Sequence, residues 1–251
     1  WLPHIAVDFH EQGVNSPYYF APASRPYHEL LSDWQIEFQT LIGKNHARYF
    51  DGKGWLYFTK EVFDLLYPSY GDTYPSFGGS IGMTYEQGGS GRAGLGVITE
   101  LGDTLTLRDR IDHHFTTGIS TVEMANNHRT KLLSQFSNYF RASSAENISY
   151  VIKNINRSDQ NYLIGWFDLH QIKYGSVSST RPIKAFSYQH DRQVNIVLTD
   201  DDIVVPMNQP KWRLVKSLFE QKAKIADSVT YDVTAWSLPY AYDLETYETS
   251  V

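Results

Sequence analysis

Two short apolar runs constrain this chain most, because each ends in an ionisable side chain and then in turn-forming residues. Ile5-Ala6-Val7 leads through Asp8 and Phe9 to His10, with Glu11, Gln12 and Gly13 after it. Ser80-Ile81-Gly82-Met83 leads through Thr84 and Tyr85 to Glu86, and a glycine-rich turn runs on to Gly94. Each reads as a short buried strand bounded by turn signals. Open α/β sheets hold ligands beyond the carboxyl ends of their strands, which is where His10 and Glu86 fall. A neutral imidazole can hold a metal, and a carboxylate beside it can take a proton from metal-bound water. Asp8 stands two residues before His10, so a strand puts both side chains on one side, while Glu11 points to the other.

The rest of the chain reads as alternating elements of an α/β protein. Tyr18–Ala21 is a second short strand between Pro17 and Pro22. Ser32-Asp33 opens a helix on the period of Trp34, Phe38, Leu41 and Ile42, which Gly43 weakens or ends. Thr59 caps a further helix, Lys60 to Leu66, stopped by Pro68. From Tyr67 to Gly79 the density of Gly and Pro predicts an irregular loop of the kind that carries binding groups. The longest helical pattern runs from Leu105 to Phe140, with Gly118 as a bend and Ile111, Phe115, Ile119, Val122, Leu132, Leu133, Phe136 and Phe140 on its apolar period. After a linker at Ala142–Ala145 the texture changes. Strands at Tyr150–Ile152, Ile196–Leu198 and Ile203–Val205, and helices at Asn161–Tyr174 and Pro210–Ala223, predict a second, small α/β domain. The expected domains are 1–143 and 144–251.

Composition excludes several functions. Of the 251 residues, 41% are hydrophobic, enough for a core. The formal charge of −6, with no basic stripe, argues against a nucleic-acid partner. There is no cysteine, so disulfides, thiolate metal sites and cysteine nucleophiles are ruled out. No apolar stretch approaches the ~20 residues of a membrane span, and no signal peptide is present. The chain starts at Trp1 and reaches a buried-looking strand within four residues, which reads as a piece of a longer protein.

Other side chains have a functional and a plain structural reading. Tyr67, Tyr70 and Tyr74 on the turn-rich loop can donate hydrogen bonds to a substrate or simply pin the loop. Arg92 can clamp a carboxylate in bidentate fashion or be an ordinary surface arginine. His113 and His114 are adjacent on a helix and diverge by about 100°, so they cannot chelate one metal together. Asp112, His113 and His128 read as helix-face residues. Gly88-Gly89-Ser90-Gly91 lacks the lysine of a phosphate loop.

Together these segments resemble the zinc carboxypeptidase family, in its bacterial secreted branch. The apolar strand ending in His10 is similar to the strand of the family's third zinc ligand. Thr84-Tyr85-Glu86, with Gly91-Arg92-Ala93-Gly94 after four residues, is similar to the family's Thr-Phe-Glu and Gly-Arg-x-Gly, whose Glu is the general base. Tyr74-Pro75-Ser76-Phe77-Gly78-Gly79-Ser80-Ile81 is similar to the segment around the family's mobile substrate-binding tyrosine. The interval to the glutamate is shorter here, so Tyr67 or Tyr70 can also fill that role. Tyr70-Gly71-Asp72 and Tyr231–Pro239 add to the likeness of the branch.

The resemblance implies the second half of a zinc-carboxypeptidase-like mixed sheet with flanking helices, followed by a small α/β domain. It implies a metallocarboxypeptidase-like hydrolase of peptide or related amide bonds, extracellular or periplasmic, with Glu86 as catalytic base, His10 on zinc, and Tyr74, Tyr70, Tyr67 and Arg92 (or Arg25) at the substrate. The family holds zinc with two further ligands in a His-x-x-Glu segment well before this histidine. Only nine residues precede His10, and they lack it. The isolated chain is therefore expected to bind zinc weakly, to be inactive alone, and to self-associate through exposed edges. The rival reading is a non-catalytic peptide- or glycan-binding module on the same scaffold. A serine-hydrolase reading finds no Gly-x-Ser-x-Gly elbow.

Overall fold

A computed structural model of the chain describes residues 2–89, 91, 94–141, 147–153, 157–225 and 236–250. The protein is mixed α/β, and it divides into two units that part between Ser137 and Asn138, ahead of the boundary expected at 143.

In chain order the first unit contains β1 (Ile5–Gln12), β2 (Tyr18–Tyr19), β3 (Ser24–Tyr27), α1 (Asp33–Lys53), β4 (Tyr57–Phe58), β5 (Asp64–Leu65), α2 (Thr73–Phe77), β6 (Ile81–Gly88), β7 (Gly96–Ile98), β8 (Thr104–Thr106), α3 (Leu107–Asn127) and the start of α4 (Arg129–Arg141). The main sheet has the order β1-β6-β2-β4. β1 runs parallel to β6 and β2 parallel to β4, while β2 and β6 are antiparallel. β1 is therefore an edge strand of this sheet. Phe20, Phe38, Ile42, Phe50, Met83 and Tyr85 fill the core between sheet and helices.

α1 forms for reasons visible in its caps. Ser32 accepts a hydrogen bond from the Gln35 amide, and the Gln35 side chain reaches back to the Ser32 amide, which satisfies two orphan donors. The helix does not stop at Gly43. It runs to a left-handed Gly54 at φ 67°, whose amide returns to Asp51 and Phe50. Gly43 instead permits close approach, since a β-carbon there would collide with the Ala21 carbonyl.

Three further expectations fail. Lys60–Leu66 is not a helix: Lys60 and Val62 take positive φ, and Asp64–Leu65 pairs as a strand with β3. The loop from Tyr67 to Gly79 contains the short helix α2, which Pro75 tolerates inside the first turn, where its missing amide has no partner to lose. The long helical pattern breaks at His128, not at Gly118. Gly118 sits in mid-helix, where Phe9 packs over it.

α3 also presents the opposite face from the one its periodicity suggests. Ile111, Phe115, Ile119 and Val122 are between 53% and 66% exposed, whereas Arg110, His113, Thr117, Ser120 and Met124 are buried. The buried face is polar because its neighbours are. Tyr18 is hydrogen-bonded to His114 (2.7 Å) and Thr117 (2.9 Å). His46 of α1 bridges Ser120 (2.7 Å) and Tyr85 (2.9 Å), and Tyr85 meets Thr121 (2.8 Å). Each of these buried groups would cost ~1–3 kcal/mol if left unpaired.

The second unit contains the end of α4, then β9 (Ser149–Ile152), α5 (Arg157–His170), β10 (Ile183–Ser187), β11 (Arg192–Ile196), β12 (Ile203–Pro206), α6 (Trp212–Phe219), α7 (Leu238–Ala241) and β13 (Thr246–Thr249). Its sheet has the order β11-β10-β13-β9-β12 and is antiparallel throughout. Ahead of β12 the fully buried Asp202 carboxylate accepts from Lys153 (2.6 Å) and from the Thr199 amide (2.8 Å). The linker expected at 142–145 and residues 231–235 of the carboxyl-terminal segment lie outside the described residues. Among the described residues no helix is long and apolar enough to cross a membrane.

The inverted face of α3 gives a direct test. Gln at Phe115 and Ile119 together should change stability by less than ~0.5 kcal/mol per site and should reduce self-association in sedimentation. Thr117→Val keeps the shape but removes a hydroxyl from the Tyr18 network, and should cost about 1–3 kcal/mol in denaturant unfolding. A helix buried by its apolar stripe would show the reverse ranking.

Candidate functional site

The parallel pairing of β1 with β6 builds the site. Its register sets Asp8 beside Thr84 and His10 beside Glu86. Side chains alternate across a strand, so these four share one face of the sheet, while Phe9, Glu11, Tyr85 and Gln87 share the other. His10 Nδ1 lies 3.3 Å from Glu86 Oε2. The two candidates from distant parts of the sequence thus meet, two residues before the ends of strands that run on to Gln12 and Gly88, past the ends expected at His10 and Glu86.

Burial is unequal across this pair. The Glu86 side chain is 7% exposed and that of His10 61%. The Glu86 charge raises the His10 pKa above its ordinary value, against a smaller opposing effect of burial. Burial raises the Glu86 carboxyl pKa, and the neighbouring imidazole partly offsets this. A carboxylate kept weakly acidic by desolvation is a stronger base than a solvated one.

The pair opens onto a cavity of about 460 Å³ lined also by Asp8, Asp64, Asp72, Tyr70 and Thr84. Asp72 is buried, which raises its pKa, and it accepts hydrogen bonds from Thr84 (3.0 Å) and Thr73 (3.2 Å). It reaches β6 because position 82 is glycine, since a β-carbon there would collide with the Asp72 carbonyl. Four carboxylates line the cavity, and His10 is the one basic side chain among its described lining residues. Such a wall favours a cation and disfavours an anion.

The loop tyrosines separate. Tyr70 stands at the cavity, its ring edge-to-face with Tyr67 at 5.0 Å. Tyr74, on α2, is not among the lining residues. Arg92 lies outside the described residues. Arg25 sits in β3 with its guanidinium against the Tyr27 ring. His113, expected on a helix face, is buried and hydrogen-bonded to Gln87 (2.8 Å), while His114 engages Tyr18. Burial lowers the pKa of both, that of His113 to about 4. Neither shares the face that carries His10.

Sequence reasoning missed Asp64 and Asp72 as lining residues. Asp64 was hidden inside a false helix. Thr84 had a usable signal, since it stands two residues before Glu86 and hence on the same face.

Among the described residues no three His, Cys, Asp or Glu side chains converge at metal-ligating spacing. His10 fits as one zinc donor, but the described residues do not complete a set. Three protein ligands are the usual catalytic minimum.

The pair makes a signed pH prediction. A raised His10 pKa means that its contact with Glu86 stabilises the fold fully below pH ~6.5, the unfolded value, and that this contribution fades as pH rises through the folded value. In an NMR titration Glu86→Gln should return the His10 pKa to, or below, the ordinary imidazole value. An unmoved His10 titration would break the pair.

No protein-family model, no curated protein and no solved structure matches this chain.

Proposed function

We propose that the chain is part of a zinc-dependent, carboxypeptidase-like hydrolase of peptide or related amide bonds. On this reading the first unit is the later part of that enzyme's mixed sheet with its flanking helices, and the second unit is an accessory domain. One observation carries the reading. The strand residues that resemble the family's metal-binding histidine and its general base are register partners, His10 against Glu86, and both line one cavity.

In this reading Glu86 takes a proton from the water that attacks the substrate carbonyl and returns it to the leaving amine. Burial raises the pKa of the Glu86 carboxyl, the direction that favours a general base. His10 is one donor to the metal, and the remaining donors come from outside the described residues. The chemistry such a metal supplies is a lowered pKa of its bound water. Asp8 and Asp72 make the site attractive to a divalent cation before substrate arrives. Tyr70, at the cavity, is the best placed of the three tyrosines to hold substrate. The secreted location belongs to the resemblance alone.

A non-catalytic module that binds peptide or glycan is the second reading. It is favoured by the incomplete donor set among the described residues. Two measurements divide them. The chain as it stands should bind zinc weakly in calorimetry, and His10→Ala should abolish that binding. In a protein with its donor set complete, Glu86→Gln should lower kcat for release of a carboxyl-terminal residue by about 10²–10⁴-fold, with zinc content unchanged. Unchanged turnover would remove Glu86 from the chemistry, and tight peptide binding without hydrolysis would establish the module.

A further inference from the structure

The first unit holds a second cavity, of about 240 Å³, several times the ~30 Å³ share of one water. Gln87 reaches it from β6, on the opposite face from Glu86. Two of its lining side chains have their hydrogen-bonding roles fixed by the protein. The Gln87 amide nitrogen donates to the Gly88 carbonyl (3.1 Å), so its Oε1 is the atom turned to His113 Nδ1 (2.8 Å). An amide oxygen only accepts, so the imidazole proton sits on Nδ1 and Nε2 keeps its lone pair. Burial lowers the His113 pKa to about 4, so near neutral pH the ring is uncharged and Nε2 is an acceptor. Asn15 is fixed in the opposite sense. Its Oδ1 accepts from the Glu100 amide (3.0 Å), which leaves Nδ2 as a donor. Trp55 supplies apolar surface, its half-buried indole held edge-to-face by Phe50 at 5.2 Å and by His113 at 4.4 Å. An acceptor, a donor and a fixed ring thus line one cavity before any ligand arrives, which lowers the entropy cost of binding.

These groups narrow the ligand. Asp103 and Asp109 also line the cavity, and no lysine or arginine is among its described lining residues, so an anion is repelled. The Asp109 carboxylate already accepts from the Thr106 amide (2.9 Å) and hydroxyl (2.5 Å). An ammonium has donors only. It would leave the Asn15 amide unanswered and would give up its hydration to meet a neutral imidazole. An apolar ligand would answer neither His113 nor Asn15. A hydroxyl both donates and accepts, so neighbouring hydroxyls on one molecule satisfy both. A peptide backbone brings a carbonyl with every N–H. That suits this lining less well, since the side-chain acceptors His113, Asp103 and Asp109 outnumber the Asn15 donor.

We propose that this cavity binds one ring of a neutral sugar, with a C–H face of the ring on Trp55 and neighbouring hydroxyls on His113 Nε2 and Asn15 Nδ2. The site is independent of the chemistry proposed for Glu86, so either can fail without the other.

The test uses the whole chain and the methyl glycosides of glucose, galactose, mannose and N-acetylglucosamine, followed by calorimetry and by the ring-nitrogen NMR signals of His113. Saturable binding of at least one glycoside is expected, and it should shift the Nε2 signal while Nδ1 stays in place. Trp55→Ala should weaken that binding about tenfold. Asn15→Asp keeps an oxygen for the Glu100 amide and removes the donor, and should cost a similar factor. Asn15 is exposed, so its variant tests the site even if Trp55→Ala fails to fold. The proposal falls if no glycoside saturates by about 50 mM, if saturation leaves Nε2 unmoved, or if Asn15→Asp binds as well as the parent chain. Tighter binding of methyl glucosaminide, which carries an ammonium on the same ring, or of Nα-acetyl-leucine amide would overturn it too.

Discussion

The first unit is organised by a set of polar side chains inside its core. His46, Tyr85 and Tyr18 come from a helix and two strands that have to pack together. Their polar atoms cannot stay unpaired there without a cost of ~1–3 kcal/mol each. α3 answers them with Ser120, Thr121, Thr117 and His114. Once that match is made, the orientation of α3 is fixed and its aliphatic stripe has to face outward. An ordinary apolar interface would tolerate rotation of the helix by part of a turn. A set of paired donors and acceptors does not, and this gives the sheet a rigid backing on the face opposite the cavity.

That backing matters to the site. Tyr85 and Gln87 point into the polar layer and Glu86 points away from it. The strand is pinned by its odd-numbered side chains while the even-numbered ones remain available for chemistry. The parallel register then fixes which residue of β1 each of them meets. A one-residue slip would turn His10 to the other face and bring Phe9 or Glu11 opposite Glu86. The meeting of imidazole and carboxylate is thus a property of sheet pairing more than of their own attraction, which for the largely exposed His10 is screened by water.

Much of this was legible in the sequence, unevenly. The two strands, β1 and β6, were legible because short apolar runs between turn residues have few other interpretations, although each continues two residues past the His10 and Glu86 at which it was expected to end. The start of α1 was legible because Ser32 and Gln35 form a local capping motif that needs no tertiary partner. Lys60–Leu66 was misread because a hydroxyl before a short mixed run also suits a turn, and positive φ at Val62 leaves no trace in composition. The period of α3 was right and its face wrong. Hydrophobic periodicity locates a stripe, but which side is buried depends on what the neighbours require. Asp64 and Asp72 join the cavity through chain reversals that local patterns do not encode.

The buried imidazole of His46 links this architecture to acidity. Its pKa is pushed down to about 3 by burial, so the native protein refuses a proton that the unfolded chain accepts near 6.5. Between those two values every unit of acidification favours unfolding by up to ~1.4 kcal/mol from this side chain alone. The layer that holds Glu86 in place is therefore acid-labile by construction, and a host environment much below neutrality would erode the scaffold on which the site is built.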